Sequence, residues 1–331
     1  MRSLAQAWQL GPYTIRNRVV LAPLAGIGNW FVRLQAKRYG AGLAFSEMVS
    51  SHAVHYRNEK TRTELLRIHP DEREGGPVAI QLFGSDPEIM RSAAATVAAA
   101  GADIIDLNMG CPVPKVCKTG AGAALLGDHD TAVAVAAAAR EGSGLPVTVK
   151  LRSGRRTGDR DGVELAQRLV AEAGVSAIGF HPRSAQVHHK GTPDLELAAE
   201  LVRALPVPVI LSGGMRDPEW IAAAFERTGC EAVMLARGGL GNPWLFARLL
   251  ERSSVPPSRE EVLEELDWVM ARAAEHLGEE RAARYLRKFY PWYVERLGEH
   301  RELNEALQRT ASLAEAKAVL RAVREPLTAA A

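Results

Sequence analysis

The sequence predicts an α/β fold, a (β/α)8 barrel of the TIM type followed by a small C-terminal helical bundle. Three observations carry that reading. Eight short apolar runs recur along the first three-quarters of the 331-residue chain, with helix-like segments between most of them. Each run leads directly into a polar or glycine-rich group. Past Val255 the strand-like runs stop and only helical patterns remain. Near-continuous apolar strands that alternate with helices indicate a parallel sheet covered on both faces, and about eight such units favour a closed barrel over an open sheet.

In order, the strand-like runs are Arg18–Ala22, Gly42–Phe45, Pro77–Leu82, Asp103–Leu107, Pro146–Val149, Ala177–Phe180, Pro208–Leu211 and Ala232–Leu235. Helices are expected at Asn29–Tyr39, Pro87–Ala100, His129–Arg140, Gly162–Ala173, Pro193–Ala204, Pro218–Arg227 and Pro243–Glu251. Several open with Pro after Asp, Thr or Asn, a good start signal because Pro is tolerated in the first helical turn. A Rossmann sheet would need a Gly-x-Gly-x-x-Gly turn after the first strand, and Pro23–Gly28 does not supply it. Pro256-Pro257 marks a boundary. A barrel domain is therefore expected over residues 1–253 and a helical domain over 254–331, with helices at Arg259–Leu277, Glu279–Arg296, Arg301–Gln308 and Leu313–Arg324.

Composition narrows the class. Hydrophobic residues make up 47% and charged residues 24%, which excludes wholesale disorder. Residues 1–10 hold no apolar core of signal-peptide length, and no run is long enough to cross a bilayer, so a cytoplasmic, membrane-free protein is expected. Three cysteines, Cys111, Cys117 and Cys230, make neither a disulfide framework nor a zinc site, and no metal is expected. The net charge of +2 neither demands nor excludes a nucleic acid.

In a barrel all eight C-terminal strand ends meet at one face, where active sites lie. Here they carry Pro23-Leu24-Ala25-Gly26, Ser46-Glu47, Gln81, Asn108 with Cys111, Lys150, His181 with Arg183, Ser212-Gly213-Gly214, and Ala236-Arg237-Gly238. Cys111 follows a strand, sits between Gly110 and Pro112, and would share the mouth with Lys150 and His181. A thiol of ordinary pKa near ~8.5 can donate a proton at neutral pH, and with a lowered pKa it becomes a nucleophile; both roles stand at this point. Lys150 suits a substrate carboxylate, a Schiff base or negative charge on a flavin. His181 competes with a structural role. Gln81 suits paired contacts with a planar heterocycle. Barrels often bind phosphate with the loops after strands seven and eight, and two glycine groups stand there; taken singly, either is an ordinary turn. Together these groups suggest a phosphorylated flat ring, and FMN fits.

Basic residues cluster twice. Arg281, Arg284, Arg287 and Lys288 recur at helical spacing beside Tyr290, Trp292 and Tyr293, although residues 255–331 hold 12 basic against 14 acidic side chains. Arg152, Arg155, Arg156 and Arg160 follow the fifth strand. Such faces grip an RNA backbone or simply face solvent.

On these residues the sequence resembles the tRNA-dihydrouridine synthases, most closely their bacterial B-type branch. The matching stretches are Asn17-Arg18 through Gly26, Ser46-Glu47-Met48, Gln81 through Pro87, Asp106-Leu107-Asn108-Met109-Gly110-Cys111-Pro112, Gly120-Ala121-Gly122, Lys150-Leu151-Arg152, and Gly241-Asn242-Pro243-Trp244. In the tail, Arg287-Lys288 with Trp292-Tyr293 also fits. Departures fall at Ser212-Gly213-Gly214, Ala236, His181-Pro182-Arg183 and Cys117. The resemblance implies an FMN barrel that uses NADPH, or NADH, to reduce a uridine in the D-loop of tRNA to dihydrouridine. It places FMN on Pro23, Leu24, Ala25, Gln81, Lys150, Ser212, Gly213, Gly214, Ala236 and Arg237, with His181 close by. It makes Cys111 the general acid on a mobile loop and gives Asn108 the target uracil. Lys115, Arg183, Arg287 and Lys288 complete the expected substrate side. A monomer with tRNA as its partner, and no DNA, is expected. Two other readings remain: an FMN barrel acting on a free pyrimidine, and a non-catalytic RNA-binding module.

Overall fold

The structure is a computed structural model and describes residues 2–251, 255–298 and 301–324. The chain divides into two compact units, Met1–Gly238 with Phe246–Arg252 and Gly239–Leu245 with Ser253–Ala331. The boundary expected between residues 253 and 254 lies outside the described residues. Among the described residues no helix is long and apolar enough to cross a membrane.

The first unit is a closed, all-parallel eight-stranded barrel. Its strands are β3 (Val19–Leu21), β4 (Leu43–Ser50), β5 (Val78–Phe83), β6 (Ile104–Met109), β7 (Val147–Arg152), β8 (Ala177–His181), β9 (Val209–Ser212) and β10 (Ala232–Leu235). β10 pairs with β3 and closes the ring. The expected runs are all present, but β4, β6 and β7 continue past their apolar stretches into residues assigned to loops. Successive strand residues face opposite sides, so polar side chains at the mouth bond one another across strands while the ladder carries on beneath them. In β4 the register shifts between Phe45 and Met48.

The outer helices are α1 (Trp30–Arg38), α3 (Pro87–Ala99), α5 (His129–Ser143), α6 (Asp161–Ala173), α7 (Leu195–Ala204) and α8 (Pro218–Thr228), with a short α2 (Ser51–His55) after β4. Asp86 and Asp217 cap α3 and α8, accepting from Ile89 N at 3.0 Å and Trp220 N at 2.8 Å, each with Pro next in sequence. α7 starts later than expected because Asp194, not Pro193, is its cap; it accepts from Leu197 N at 2.9 Å. α9 (Trp244–Leu249) is likewise shorter than its expected span.

An element not foreseen precedes the barrel. The hairpin of β1 (Trp8–Leu10) and β2 (Tyr13–Ile15) buries Trp8, Leu10 and Ile15 against Leu43, Ile104, Ala177 and Ala232, the first residues of four strands or their immediate neighbours. It stoppers the N-terminal end and leaves the C-terminal end as the mouth.

The second unit contains α10 (Arg259–Leu277), α11 (Glu279–Leu286), α12 (Tyr290–Arg296), α13 (Arg301–Arg309) and α14 (Leu313–Arg324). Ser258 and Glu261 form a reciprocal capping box at the start of α10. The single helix expected over Glu279–Arg296 is broken at residues 287–289. Pro291 has no N–H for the carbonyl of Arg287, which accepts instead from Gln308 Nε2 at 2.7 Å.

Candidate active site

Barrel register stacks the polar residues in two tiers. Gln81, Asp106 and Thr148 are paired at one level. Asn108 and Lys150 are paired two residues further along, hence on the same face one tier nearer the mouth. In the lower tier Asp106 accepts from Thr148 Oγ1 at 2.5 Å and from Gln81 Nε2 at 2.6 Å. Burial pushes the Asp106 carboxyl up to about 6, against the pull of these two bonds and of the Lys150 charge. Gln81 Oε1 accepts from Asn108 Nδ2 at 2.9 Å.

The upper tier sets the cysteine turn. Asn108 Oδ1 accepts from Cys111 N at 2.9 Å and Gly110 N at 3.3 Å. The Cys111 carbonyl accepts from Ala123 N at 3.0 Å and from the Cys117 thiol at 3.3 Å. Arg152, only 4% exposed, donates Nε to Gly110 O at 2.9 Å and Nη1 to His188 O at 2.7 Å. The loop expected to be mobile is thus bonded at the backbone on both sides of its cysteine. Cys111 is half-buried and lines the cleft.

The strand ends that follow carry positive charge. Lys150 Nζ donates to Ser212 Oγ at 3.3 Å, and Ser212 Oγ donates to Phe180 O at 3.2 Å. Burial, then the Arg152 guanidinium, lowers Lys150 to about 8, while Asp106 and Cys111 favour its charge. His181 is held far below the usual imidazole range by burial and by Lys150, Arg152 and Arg183. Its neutral ring accepts at Nε2 from Arg183 Nη1 at 3.1 Å, which leaves the proton on Nδ1. Arg183, Arg216, Arg237 and His189 line the same end of the cleft.

The glycine turns bring backbone close to this end. A Cβ on Gly213 (φ +105°) would lie 2.5 Å from His181 Cδ2, and one on Gly238 would lie 2.1 Å from Met215 O. Only glycine fits either place. A cradle of bare backbone beside several guanidinium groups fits a phosphate monoester. Gln81 and Lys150 line the same cleft.

Pro23, Ala25, Gln81, Asn108, Cys111, Lys150, His181, Arg183, Ser212, Gly213, Gly214, Ala236 and Arg237 all line this one cleft. Leu24 does not. It is 7% exposed, and its carbonyl accepts from Gly28 N at 2.7 Å. Lys115 is exposed on the short helix α4 (Pro114–Cys117) that follows the cysteine, outside the cleft lining. Of the basic cluster after β7, Arg152 is a buried clamp, Arg155 pairs with Asp161 at 3.2 Å and Arg160 pairs with Glu200. In the helical unit, Arg287 is half-buried and donates to Thr310 O at 3.0 Å, while Lys288 lies 4.7 Å over the Tyr285 ring. Tyr290 and Tyr293 are fully buried and offer no stacking surface. Asp106 and Met48 stand in the matching stretches but were given no role, and His189 and Arg216 were not named from the sequence. Alternation at Asp106/Asn108 and Thr148/Lys150 would have shown the first.

A family model described as dihydrouridine synthase matches residues 20–329. The tRNA-dihydrouridine synthase B of Pseudomonas aeruginosa is 34% identical over 312 residues, 91% of each chain. The protein of the same name from Xanthomonas campestris pv. campestris is 35% identical over 292 residues, 86% of each chain. Among solved structures, morphinone reductase in complex with tetrahydroNAD superposes with a TM-score of 0.57 at 17% identity, covering 79% of this chain and 94% of that one. Histamine dehydrogenase from Rhizobium sp. 4-9 gives 0.60 at 14% identity, covering 75% and 48%. At these identities the two structures speak for the barrel fold alone.

Proposed function

The chain belongs to the dihydrouridine synthase family, and from that premise we propose that it reduces the C5=C6 bond of a uridine in the D-loop of tRNA, with FMN as cofactor and NADPH, or NADH, as reductant. The observation that carries the reading is a half-buried cysteine held by its backbone in a cleft whose lining also holds cationic side chains and glycine turns.

The residues fit a flavin mononucleotide. Gly213, Gly214, Arg237 and Gly238 would take the phosphate, with Arg183 beside it. Pro23, Ala25, Gln81, Lys150 and Ala236 would border the ring. FMN, when bound, supplies a hydride for C6 of the uracil.

The chain's own groups do the rest. Cys111 gives its proton to C5, where negative charge develops; such general-acid help is typically worth ~10²–10⁴-fold. Neutral protonated thiol is the useful form. Lys150 would hold positive charge beside the ring, and such electrostatic stabilisation is strongest in a site that excludes water. Neutral His181 holds Arg183 toward the anion end and adds no charge of its own. The uridine must leave its stack to reach the cleft, as bases do for enzymes that act on them. The helical unit, with Arg281, Arg284 and Lys288 exposed, supplies cations for a tRNA backbone.

The test is direct. Purified protein, FMN and NADPH are incubated with D-loop tRNA lacking dihydrouridine, and nucleosides are weighed by mass spectrometry. A gain of two hydrogens at one uridine is expected. Reduction of free uracil with no effect on tRNA would favour a small-molecule reductase instead.

A further inference from the structure

Asp106 touches neither the cleft surface nor the thiol, yet it heads an unbroken chain of hydrogen bonds that ends on the backbone of Cys111. We propose that Asp106 is a positioning residue, which acts through the side chains of Gln81 and Asn108 to hold the Cys111 turn in its working orientation. The proposal rests on the reading of Cys111 as proton donor.

Donors and acceptors fix the order of this chain. A primary amide has an acceptor on one side and a donor on the other, and its neighbours decide which way it faces. An ionised carboxylate offers acceptors only, so Gln81 must turn its NH₂ to Asp106, and does so at 2.6 Å. The Gln81 carbonyl then faces Asn108, which must answer with its own NH₂, at 2.9 Å. That leaves Asn108 Oδ1 toward the turn, where it accepts the N–H groups of Cys111 and Gly110. Reversing either amide would set donor against donor or acceptor against acceptor.

Asp106 itself cannot swing away. Its other oxygen is taken by Thr148 Oγ1 at 2.5 Å, and the residue is 2% exposed. Lys150 is the charged group that faces it, and favours the ionised form. Buried networks of this kind rigidify when every member is satisfied, and each junction here is satisfied.

The test compares Asp106→Ala, Asp106→Asn and wild type. In flavin-free protein, amide hydrogen exchange resolved to Gly110 and Cys111 is expected to speed up at least tenfold in Asp106→Ala. It is expected to stay within threefold of wild type in Asp106→Asn, whose carbonyl still accepts from Gln81 while its NH₂ turns to the Thr148 oxygen. In flavin-loaded protein, Asp106→Ala keeps NADPH-driven flavin reduction within threefold and slows tRNA-driven flavin reoxidation at least tenfold; Asp106→Asn recovers most of that loss.

Unchanged exchange in Asp106→Ala overturns the proposal. So does an equal fall in both half-reactions, or an Asn variant as impaired as the Ala variant, which would make the charge itself the active feature. Should Asp106→Ala fail to fold, Asp106→Thr serves with the same expected outcomes; it is β-branched, as strands favour, and too short to reach Gln81. If wild type shows no tRNA-driven reoxidation, the functional reading fails, while the exchange result still judges the relay.

Discussion

At the scale of single residues, the site combines a half-buried cysteine with a lysine whose charge is held only at a cost. Burial sets the Lys150 ammonium at about 8, below its ordinary 10.5. A lysine with a lowered folded pKa destabilises the fold wherever the unfolded chain is protonated and the folded group resists it. The penalty is full below about pH 8 and vanishes as pH rises toward 10.5. Lys150→Met is therefore expected to melt a few degrees higher than wild type at pH 7, with the gap closing by pH 10, while losing most of its activity. Thermal scans across that range check it; a variant less stable at pH 7 would contradict the assignment. Residue identity was readable in sequence where a polar group follows an apolar run, as at Asn108, Lys150 and His181. Asp106 was given no role for the opposite reason. It stands inside the run, where only its two-residue step to Asn108 marks the shared face.

At the scale of elements, the turns after β9 and β10 make the anion end by leaving out side chains. Gly213→Ala combines a positive φ with a Cβ 2.5 Å from the His181 ring. It is expected to lower flavin retention at least tenfold and to cost roughly 1–3 kcal/mol of stability. Flavin-to-protein ratios after desalting, with chemical denaturation, measure both. The hairpin of β1 and β2 is the control at the far end of the barrel. Leu10 is fully buried there, so Leu10→Ala should cost about 2–5 kcal/mol and leave the flavin ratio of the folded protein unchanged. The eight barrel strands were legible because each is an apolar run of strand length closed by a turn signal. The hairpin was not, because strands of three residues carry too little alternation to register. The break between α11 and α12 was missed although Pro291 signals it, its missing N–H freeing a carbonyl that Gln308 then satisfies.

At the scale of the whole molecule, a barrel unit carries the cleft and a helical unit carries exposed cations. Arg284 pairs with Glu280 at 2.9 Å with both side chains exposed, an arrangement worth little to stability and easily exchanged for a phosphate. Arg284→Glu with Lys288→Glu is expected to weaken tRNA binding at least tenfold at moderate salt and to flatten the log–log salt slope by about two. NADPH-driven flavin reduction should not change. A filter-binding salt series decides this; equal affinity for the double variant would move the RNA contact elsewhere. The two-part layout was readable where strand signals stop, whereas burial of Tyr290, Tyr293 and Arg152 was not, since a periodic pattern shows which residues share a face but not which way that face turns.

In the proposed reaction Cys111 delivers the proton that completes uridine reduction. Enzyme-bound flavin is reduced anaerobically with one equivalent of NADPH and mixed with tRNA lacking dihydrouridine, and flavin absorbance is followed in wild type and Cys111→Ala. The expected result is rapid reoxidation with matching dihydrouridine in wild type, and a Cys111→Ala protein that binds and reduces flavin normally but reoxidises at least a hundredfold more slowly. Reoxidation of Cys111→Ala at the wild-type rate would contradict it.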